Sequence, residues 1–179
     1  MYTPFADKAE RDGAVFAELG RYTVGDLPEG YEYMSDFAEW MPEGLLLAWD
    51  LDENTALSNI ICGGVNWKGD DADGKFRLLQ LSWQRYYDRN DPEKVTNDVE
   101  FANAMAYYER TIPGKYTKTA VNGYDALLVN DGAFYLVWFD TVRGLQFTLE
   151  GDGFDESGSV VSLFTDAELI AMAESVTEG

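Results

Sequence analysis

"YTKTAVNGYDALLVND" (residues 116–131) places Asn122-Gly123 between two runs of β-branched, aromatic and aliphatic residues. A two-residue hairpin turn of type I′ requires positive φ at both central positions, and Asn-Gly is the pair that tolerates this best. The stretch therefore predicts an antiparallel hairpin, with strands at 118–121 and 124–129 on either side of the turn.

A second hairpin is predicted directly after the first, in "GAFYLVWFDTVRGLQFTLEG" (132–151). Gly144 stands between the apolar runs "FYLVWF" and "LQFTL", where it supplies the left-handed conformation that a tight turn needs. Because consecutive hairpins pair neighbouring strands head to tail, most of the sheet is expected to be antiparallel.

Earlier strands are predicted from apolar runs and alternation. Tyr22–Val24 is followed by a Pro28–Gly30 turn with Pro28 at its first central position, and a new strand begins at Tyr31. Further strands are predicted at 44–52, 56–69 and 75–87. In the last of these, Leu79, Leu81 and Trp83 alternate with polar residues, which is typical of a strand with one buried face.

Three stretches have helical signals. The first, 3–20, has Thr3 as N-cap, Pro4 at the first helical position and Gly20 as a stop. The second, 96–110, has apolar residues at helical spacing before Pro113-Gly114.

The third helix, 165–176, begins with a capping box formed by Thr165 and Glu168, and Val176 is the last residue of its apolar stripe. The predicted class is therefore α+β: a single domain, residues 1–179, with a mostly antiparallel curved sheet and N-terminal, central and C-terminal helices packed on it.

Composition limits the domain count and the partners. With 179 residues, 46% of them apolar, the chain is long enough for one real core and short for two. Its 33 acidic and 13 basic residues give a formal charge of −20, which repels phosphate backbones and anionic headgroups. We therefore expect no nucleic-acid partner, and no uncharged apolar run is long enough to predict a membrane span.

Several kinds of chemistry lack their usual residues. Histidine is absent and Cys62 is the only cysteine, which excludes histidine-based triads, an internal disulfide and cysteine-rich metal sites. Cys62 is expected to be a small buried hydrophobe. Neither common glycine-rich phosphate loop is present, so we predict no nucleotide cofactor, no metal and no catalytic residue.

Two acidic loops invite a calcium interpretation. "GDDADG" (69–74) fails the EF-hand pattern because Gly69 and Gln80 fall where the first and last ligands should be. "EGDGFDESG" (150–158) groups Glu150, Asp152, Asp155 and Glu156 after a predicted strand, without diagnostic spacing. Solvated turns are the favoured interpretation of both.

An alternative function is hydrolysis of carbohydrate by two carboxylates, which needs no histidine. Nothing in the sequence selects Asp88, Glu100, Glu109 or any other acid for that role. Rings inside strand patterns are expected in the core: Trp49, Trp83, Phe134, Trp138 and Phe147. Rings near turns and element ends are candidates for an aromatic groove: Trp40, Trp67, Tyr86, Tyr87, Tyr107 and Tyr108.

Four segments, taken in order, carry a family resemblance: "LPEGYEY" (27–33), "VNGYDALLV" (121–129), "YLVWFDTVRGLQFTLEG" (135–151) and "ELIAMAESV" (168–176). Together they resemble an uncharacterised bacterial family of extracytoplasmic domains found in Gram-positive lipoprotein-like and anti-sigma-factor-like membrane proteins. The likeness spans about residues 20–177. The stretch around "WKGDDADGK" and the N-terminal helix have no counterpart in that pattern.

The resemblance implies a non-enzymatic domain outside the cytoplasmic membrane, held by a tether upstream of these residues and binding or sensing a small-molecule or protein ligand. The family has no established catalytic residues to carry over. By analogy of fold, such a sheet is similar to the half-barrels of lipoprotein carriers and envelope-stress sensors. A cytoplasmic protein beginning at Met1, and a purely structural or interaction domain, remain alternatives.

Overall fold

A computed structural model describes residues 8–36, 62–69, 77–85, 106, 110, 112–155 and 157–179. The described elements are two helices, α1 (Lys8–Leu19) and α2 (Asp166–Glu174), and ten strands. The strands are β1 (Tyr22–Val24), β2 (Glu32–Asp36), β3 (Cys62–Lys68), β4 (Arg77–Arg85), β5 (Tyr116–Val121), β6 (Tyr124–Asn130), β7 (Phe134–Asp140), β8 (Leu145–Phe154), β9 (Val160–Ser162) and β10 (Val176–Glu178).

Most strands belong to one antiparallel sheet with the order β2-β3-β4-β8-β7-β6-β5, and β9 pairs with the distal part of β8. In the part of the chain that is described, the order begins at β2 and ends at β5, so the sheet is open. The predicted antiparallel sheet is confirmed.

Both predicted hairpin turns are confirmed. Asn122 and Gly123 have φ values of 50° and 83°, and β5 and β6 pair in register from Val121–Tyr124 outwards. Gly144 has a φ of 68° and closes the β7–β8 hairpin. The turn before β2 is displaced by one position from the prediction. The amide of Tyr31 donates to the carbonyl of Pro28 (3.2 Å), so Pro28 is the first residue of the turn and not its first central residue.

The helices match the sequence only in part. The predicted helix at 3–20 is represented by α1, while Thr3 and Pro4 lie outside the described residues. The predicted central helix, 96–110, also lies outside them, apart from Ala106 and Arg110. The described ranges therefore contain two helices rather than the three expected.

The C-terminal helix ends earlier than predicted. Ser175 caps α2, and Val176 pairs with Val24 in a two-stranded ribbon of β1 and β10. The carbonyl and hydroxyl oxygens of Ser175 accept the amides of Gly25 (3.1 Å) and Asp26 (3.0 Å). These bonds tie the last turn of α2 to the loop after β1, so the chain leaves the helix as a strand.

The principal core lies between the sheet and the two helices. Leu79, Leu81 and Trp83 of β4 form one row of it, as the alternation predicted, and each is at most 1% exposed. Val15 and Leu19 of α1, with Leu169, Met172 and Ala173 of α2, pack against this helix-covered face. Neither described helix is long and apolar enough to cross a membrane.

The opposite face of the sheet, which we call the outer face, carries a smaller apolar cluster. Leu127 and Val129 of β6 pack there with Val137 and Phe139 of β7. Both faces of β6 and β7 are therefore buried, which explains why their sequences are nearly continuous apolar runs.

Three single-residue predictions are corrected. Trp67, placed in an aromatic groove, is 2% exposed and belongs to the core, because it lies on the helix-covered face beside its cross-strand neighbour Leu79. Phe134, predicted as core, is half-buried at the start of β7. Cys62, expected to be buried, is half-buried because it begins β3 at the end of that strand.

Candidate functional site

A cavity of about 360 Å³ lies where the N-terminal end of α2 meets one end of the sheet. The segments that surround it are the beginnings of β5 and β7, the end of β6, and the link from β9 to α2. Its lining residues are Gly114, Lys115, Tyr116, Thr117, Leu128, Val129, Asn130, Phe134, Tyr135, Ser162, Phe164, Asp166 and Leu169.

The cavity lining combines apolar and polar side chains, and more of its surface is polar than apolar. Leu128, Phe134, Phe164 and Leu169 supply the apolar surface, and all four belong to or pack beside the helix-covered face. The exposed polar residues are Lys115, Thr117, Asn130 and Asp166, with Ser162 half-buried among them. A concave lining that combines apolar and polar side chains can hold a small ligand with both kinds of group.

Backbone bonds fix the side of the cavity formed by β5 and β6. The amide of Asn130 donates to the carbonyl of Lys115 (2.8 Å), and the amide of Lys115 donates to the carbonyl of Ile112 (3.1 Å). On the other side, the Ser162 hydroxyl donates to the carbonyl of Phe164 (2.6 Å). These bonds hold the segments on both sides of the cavity in place.

The start of α2 is fixed by the predicted capping box. The Thr165 hydroxyl accepts the amide of Glu168 (3.3 Å), and the Glu168 carboxylate accepts the amide of Thr165 (2.8 Å). The backbone and hydroxyl bonds from Thr165 lower the pKa of Glu168. Both Asp166 and Leu169 thereby take fixed positions in the cavity lining.

Glu150 and Asp152 form a carboxyl pair on the outer face of β8. The sequence placed them in a loop, but β8 continues to Phe154. Gly151 and Gly153 alternate with the two acids and lie on the opposite, helix-covered face. A Cβ on Gly151 would collide with Phe164, and a Cβ on Gly153 with Leu163, so the glycines leave the space that these side chains occupy beside the extended strand. The two acids therefore lie side by side on one face of the strand.

This pair holds a proton at higher pH than ordinary carboxyls do. Burial, followed by the charge of Asp152 and a hydrogen bond to it, raises the pKa of Glu150 to about 7. Burial also raises the pKa of Asp152, against the lowering effect of its hydrogen bonds from the amide of Phe134 and from Glu150. A protonated Glu150 is thus the donor to the Asp152 carboxylate.

The carboxyl pair is bonded to the cavity wall. Asp152 Oδ1 accepts the amide of Phe134 (3.2 Å), and Glu150 is the cross-strand neighbour of Tyr135. Phe134 and Tyr135 both line the cavity. Asp131, in the β6–β7 turn, adds negative charge near Glu150.

The remaining acid described from the second predicted loop, Asp155, shapes a turn. Its carboxylate accepts the amides of Ser157 (2.8 Å) and Ser159 (2.9 Å) and the Ser157 hydroxyl (2.6 Å). These bonds, led by that of the Ser157 side chain, lower the pKa of Asp155. Within the described ranges, no group of three or more acidic or cysteine side chains is arranged to hold a metal ion.

A second polar group joins the β7–β8 turn to the terminal ribbon. Asp140 is 4% exposed and accepts the amides of Val142 (3.0 Å) and Arg143 (2.9 Å) as well as the Arg143 guanidinium (2.6 Å). Arg143 also approaches Glu178 of β10 (4.0 Å) and lies over the ring of Tyr22. These contacts hold the β7–β8 turn against the terminal ribbon, so we assign them a structural role.

Many predicted candidates lie outside the described residues. They are the acids Asp88, Glu100, Glu109 and Glu156, the rings Trp40, Trp49, Tyr86, Tyr87, Tyr107 and Tyr108, and loop positions 70–74. Trp83, Trp138 and Phe147 are buried as predicted. The cavity residues were missed because they come from four separate segments, and no local pattern marks them.

Comparison of the chain with protein-family models, with curated proteins and with solved structures gave no match.

Proposed function

We propose that this domain binds a small amphipathic molecule in the cavity between α2 and the sheet, and that it acts as a binding or sensing module rather than an enzyme. The observation that carries the proposal is the cavity of about 360 Å³, which falls within the size range of small-ligand pockets. Its walls are largely regular structure, so little ordering would accompany binding.

The polar groups around the cavity favour a ligand without net charge. Lys115 and Asp166 contribute one charge of each sign, and Thr117, Asn130 and Ser162 add uncharged donors and acceptors. An anion would also meet the repulsion of a protein with a formal charge of −20. A neutral or zwitterionic molecule with an apolar portion fits this lining best.

The alternative, a carbohydrate hydrolase with paired carboxylates, gains no support from Glu150 and Asp152, the acidic pair in the described residues in which the pKa of both carboxyls is raised. Glu150 and Asp152 are joined by a hydrogen bond. Glycoside hydrolysis needs its two carboxyls roughly 5 to 9 Å apart, with the scissile bond or a water between them. Carboxyls that are hydrogen-bonded to each other leave no room between them for a scissile bond or a water.

A neutral fluorescent probe tests the proposal. N-phenyl-1-naphthylamine brightens in apolar sites, and a titration of the wild-type protein should give saturable binding. The substitution Thr117→Trp places an indole at the mouth of the cavity, at an exposed position of β5. We expect it to weaken binding at least about tenfold, equivalent to ~1.4 kcal/mol.

The matched control is Thr23→Trp, at an exposed position of β1 that does not line the cavity. It adds the same ring elsewhere, and its affinity should stay within about twofold of wild type, because ~0.4 kcal/mol is within ordinary surface effects. Absence of saturable binding, or equal affinity of the two tryptophan variants, would contradict the proposal.

The location is proposed from the motif resemblance alone. Following it, the domain lies outside the cytoplasmic membrane, tethered by a segment upstream, and its sheet is curved around a ligand-binding face as in lipoprotein carriers. Fractionation of the native cells, with an antibody against this domain, tests the location. Recovery in the cytoplasmic fraction would exclude it.

A further inference from the structure

We propose that the protonation state of Glu150 regulates binding in the α2 cavity, through Asp152 and the backbone amide of Phe134. This inference rests on the proposed function and adds its regulation. It follows from a continuous chain of contacts that begins on the outer face of β8 and ends in the cavity wall.

The first contact is the carboxyl pair itself. With one shared proton, Glu150 donates to Asp152, and Asp152 carries a single negative charge. Loss of that proton places two negative charges in direct contact on one strand, beside the charge of Asp131. Like charges in a half-buried site repel, so loss of the proton favours separation of the two carboxylates.

The second contact transmits this change to the cavity. Asp152 Oδ1 is bonded to the amide of Phe134, the first residue of β7, and the ring of Phe134 is part of the cavity lining. Cross-strand pairing of Asn130 with Phe134 continues the connection to β6. We infer that the repulsion displaces Asp152, so that the amide of Phe134 at this end of β7 loses its side-chain acceptor.

The response depends on the charged groups around the carboxyl pair. Among the described residues, the titratable or charged groups near Glu150 are Asp152 on β8, Asp131 in the β6–β7 turn and the cross-strand neighbour Tyr135 on β7. The neighbour on β4 is Gln80, which is uncharged. On the same face, Lys68 of β3 lies two strands from Asp152 and is ion-paired with Glu32 (3.0 Å).

The response falls in a narrow pH range because the pKa of Glu150 is about 7. A ligand that packs against Phe134 favours the protonated pair, and by reciprocity it raises the pKa of Glu150 further. If binding raises that pKa by about one unit, affinity for the ligand falls about tenfold from the acidic to the alkaline side. Binding is thus expected to be tight below neutrality and weak above it.

The test compares N-phenyl-1-naphthylamine affinity at pH 5.5 and pH 8.5. Wild type should lose about tenfold in affinity, as estimated above. Glu150→Gln keeps a donor to Asp152 at every pH, so its affinity should remain at the acidic wild-type level. Asp125→Asn, which removes an exposed acid from β6, should retain the wild-type pH dependence.

A second readout does not depend on the probe. In ¹H–¹⁵N spectra, the Phe134 amide of wild type should titrate with a midpoint near 7, and that titration should be absent in Glu150→Gln. Probe binding that is independent of pH, or a Glu150→Gln variant with wild-type pH dependence, would overturn this inference alone. Absence of probe binding at both pH values would overturn the proposed function, and the inference with it.

Discussion

Gly63 on β3 lies directly against the indole ring of Trp83 on β4. The two residues are paired across the sheet, and a Cβ built on Gly63 would fall 2.5 Å from the indole Nε1. That nitrogen donates to the carbonyl of Gly20 at the end of α1 (3.2 Å), and the ring stacks on Phe16. The missing side chain of Gly63 therefore lets Trp83 join the sheet to α1.

The first prediction concerns this contact. Gly63→Ala should lower the free energy of unfolding by about 1 to 3 kcal/mol, because the methyl group displaces a buried ring. Gly13→Ala is the matched control, since a Cβ there meets no atom within 4 Å. Alanine in the middle of α1 should instead raise stability by up to about 1 kcal/mol. Urea denaturation of both variants measures the difference. Equal changes in the free energy of unfolding would contradict the close contact between Gly63 and Trp83.

The second prediction separates two roles of Asn122. The residue has a φ of 50°, and its side-chain amide donates to the carbonyl of Glu174 near the end of α2 (3.0 Å). Asn122→Ala should lower the free energy of unfolding by about 2 kcal/mol, because backbone strain and the lost hydrogen bond act together. Asn122→Gly keeps the turn and loses only the bond, so it should cost less than about 1 kcal/mol. A glycine variant as unstable as the alanine variant would assign the whole effect to the bond.

The third prediction is a pH dependence of stability. Because the pKa of Glu150 is raised from 4.5 to about 7 in the folded protein, the folded state binds the proton more tightly than the unfolded chain. This contribution is complete below about pH 4.5 and is lost as the pH rises through 7.

We expect the free energy of unfolding of wild type, relative to Glu150→Gln, to fall by on the order of 1 to 2 kcal/mol between pH 4.5 and pH 8, after allowance for solvent screening of a half-buried group. Urea denaturation across this range provides the measurement. A difference that stays constant with pH would show that Glu150 titrates normally.

The fourth prediction concerns Asp140 and Arg143. Asp140→Ala should destabilise by about 2 to 4 kcal/mol, because two backbone amides and the guanidinium lose a buried acceptor. Arg143→Ala should cost only about 1 kcal/mol, because the side chain is 47% exposed and the carboxylate keeps its amide partners. Thermal unfolding of both variants tests this order. A larger loss of stability in Arg143→Ala than in Asp140→Ala would contradict the view that Asp140 is the main stabilising residue of the turn.

The sequence alone determined the local features whose cause lies within a few residues. Asn122-Gly123 requires positive φ, Thr165 and Glu168 complete each other's hydrogen bonds, and the alternation of β4 follows from the two faces of a strand. Each of these predictions is confirmed because the signal and the structure it produces lie within the same short segment.

The tertiary structure decided what depends on distant partners. Glu150 and Asp152 form a pair on a strand because Phe164 and Leu163 occupy the space that Gly151 and Gly153 leave open. Val176 leaves α2 because Val24 offers it a strand partner. The cavity likewise exists only where α2 meets the ends of β5, β6 and β7, since its walls come from segments that no sequence window contains together.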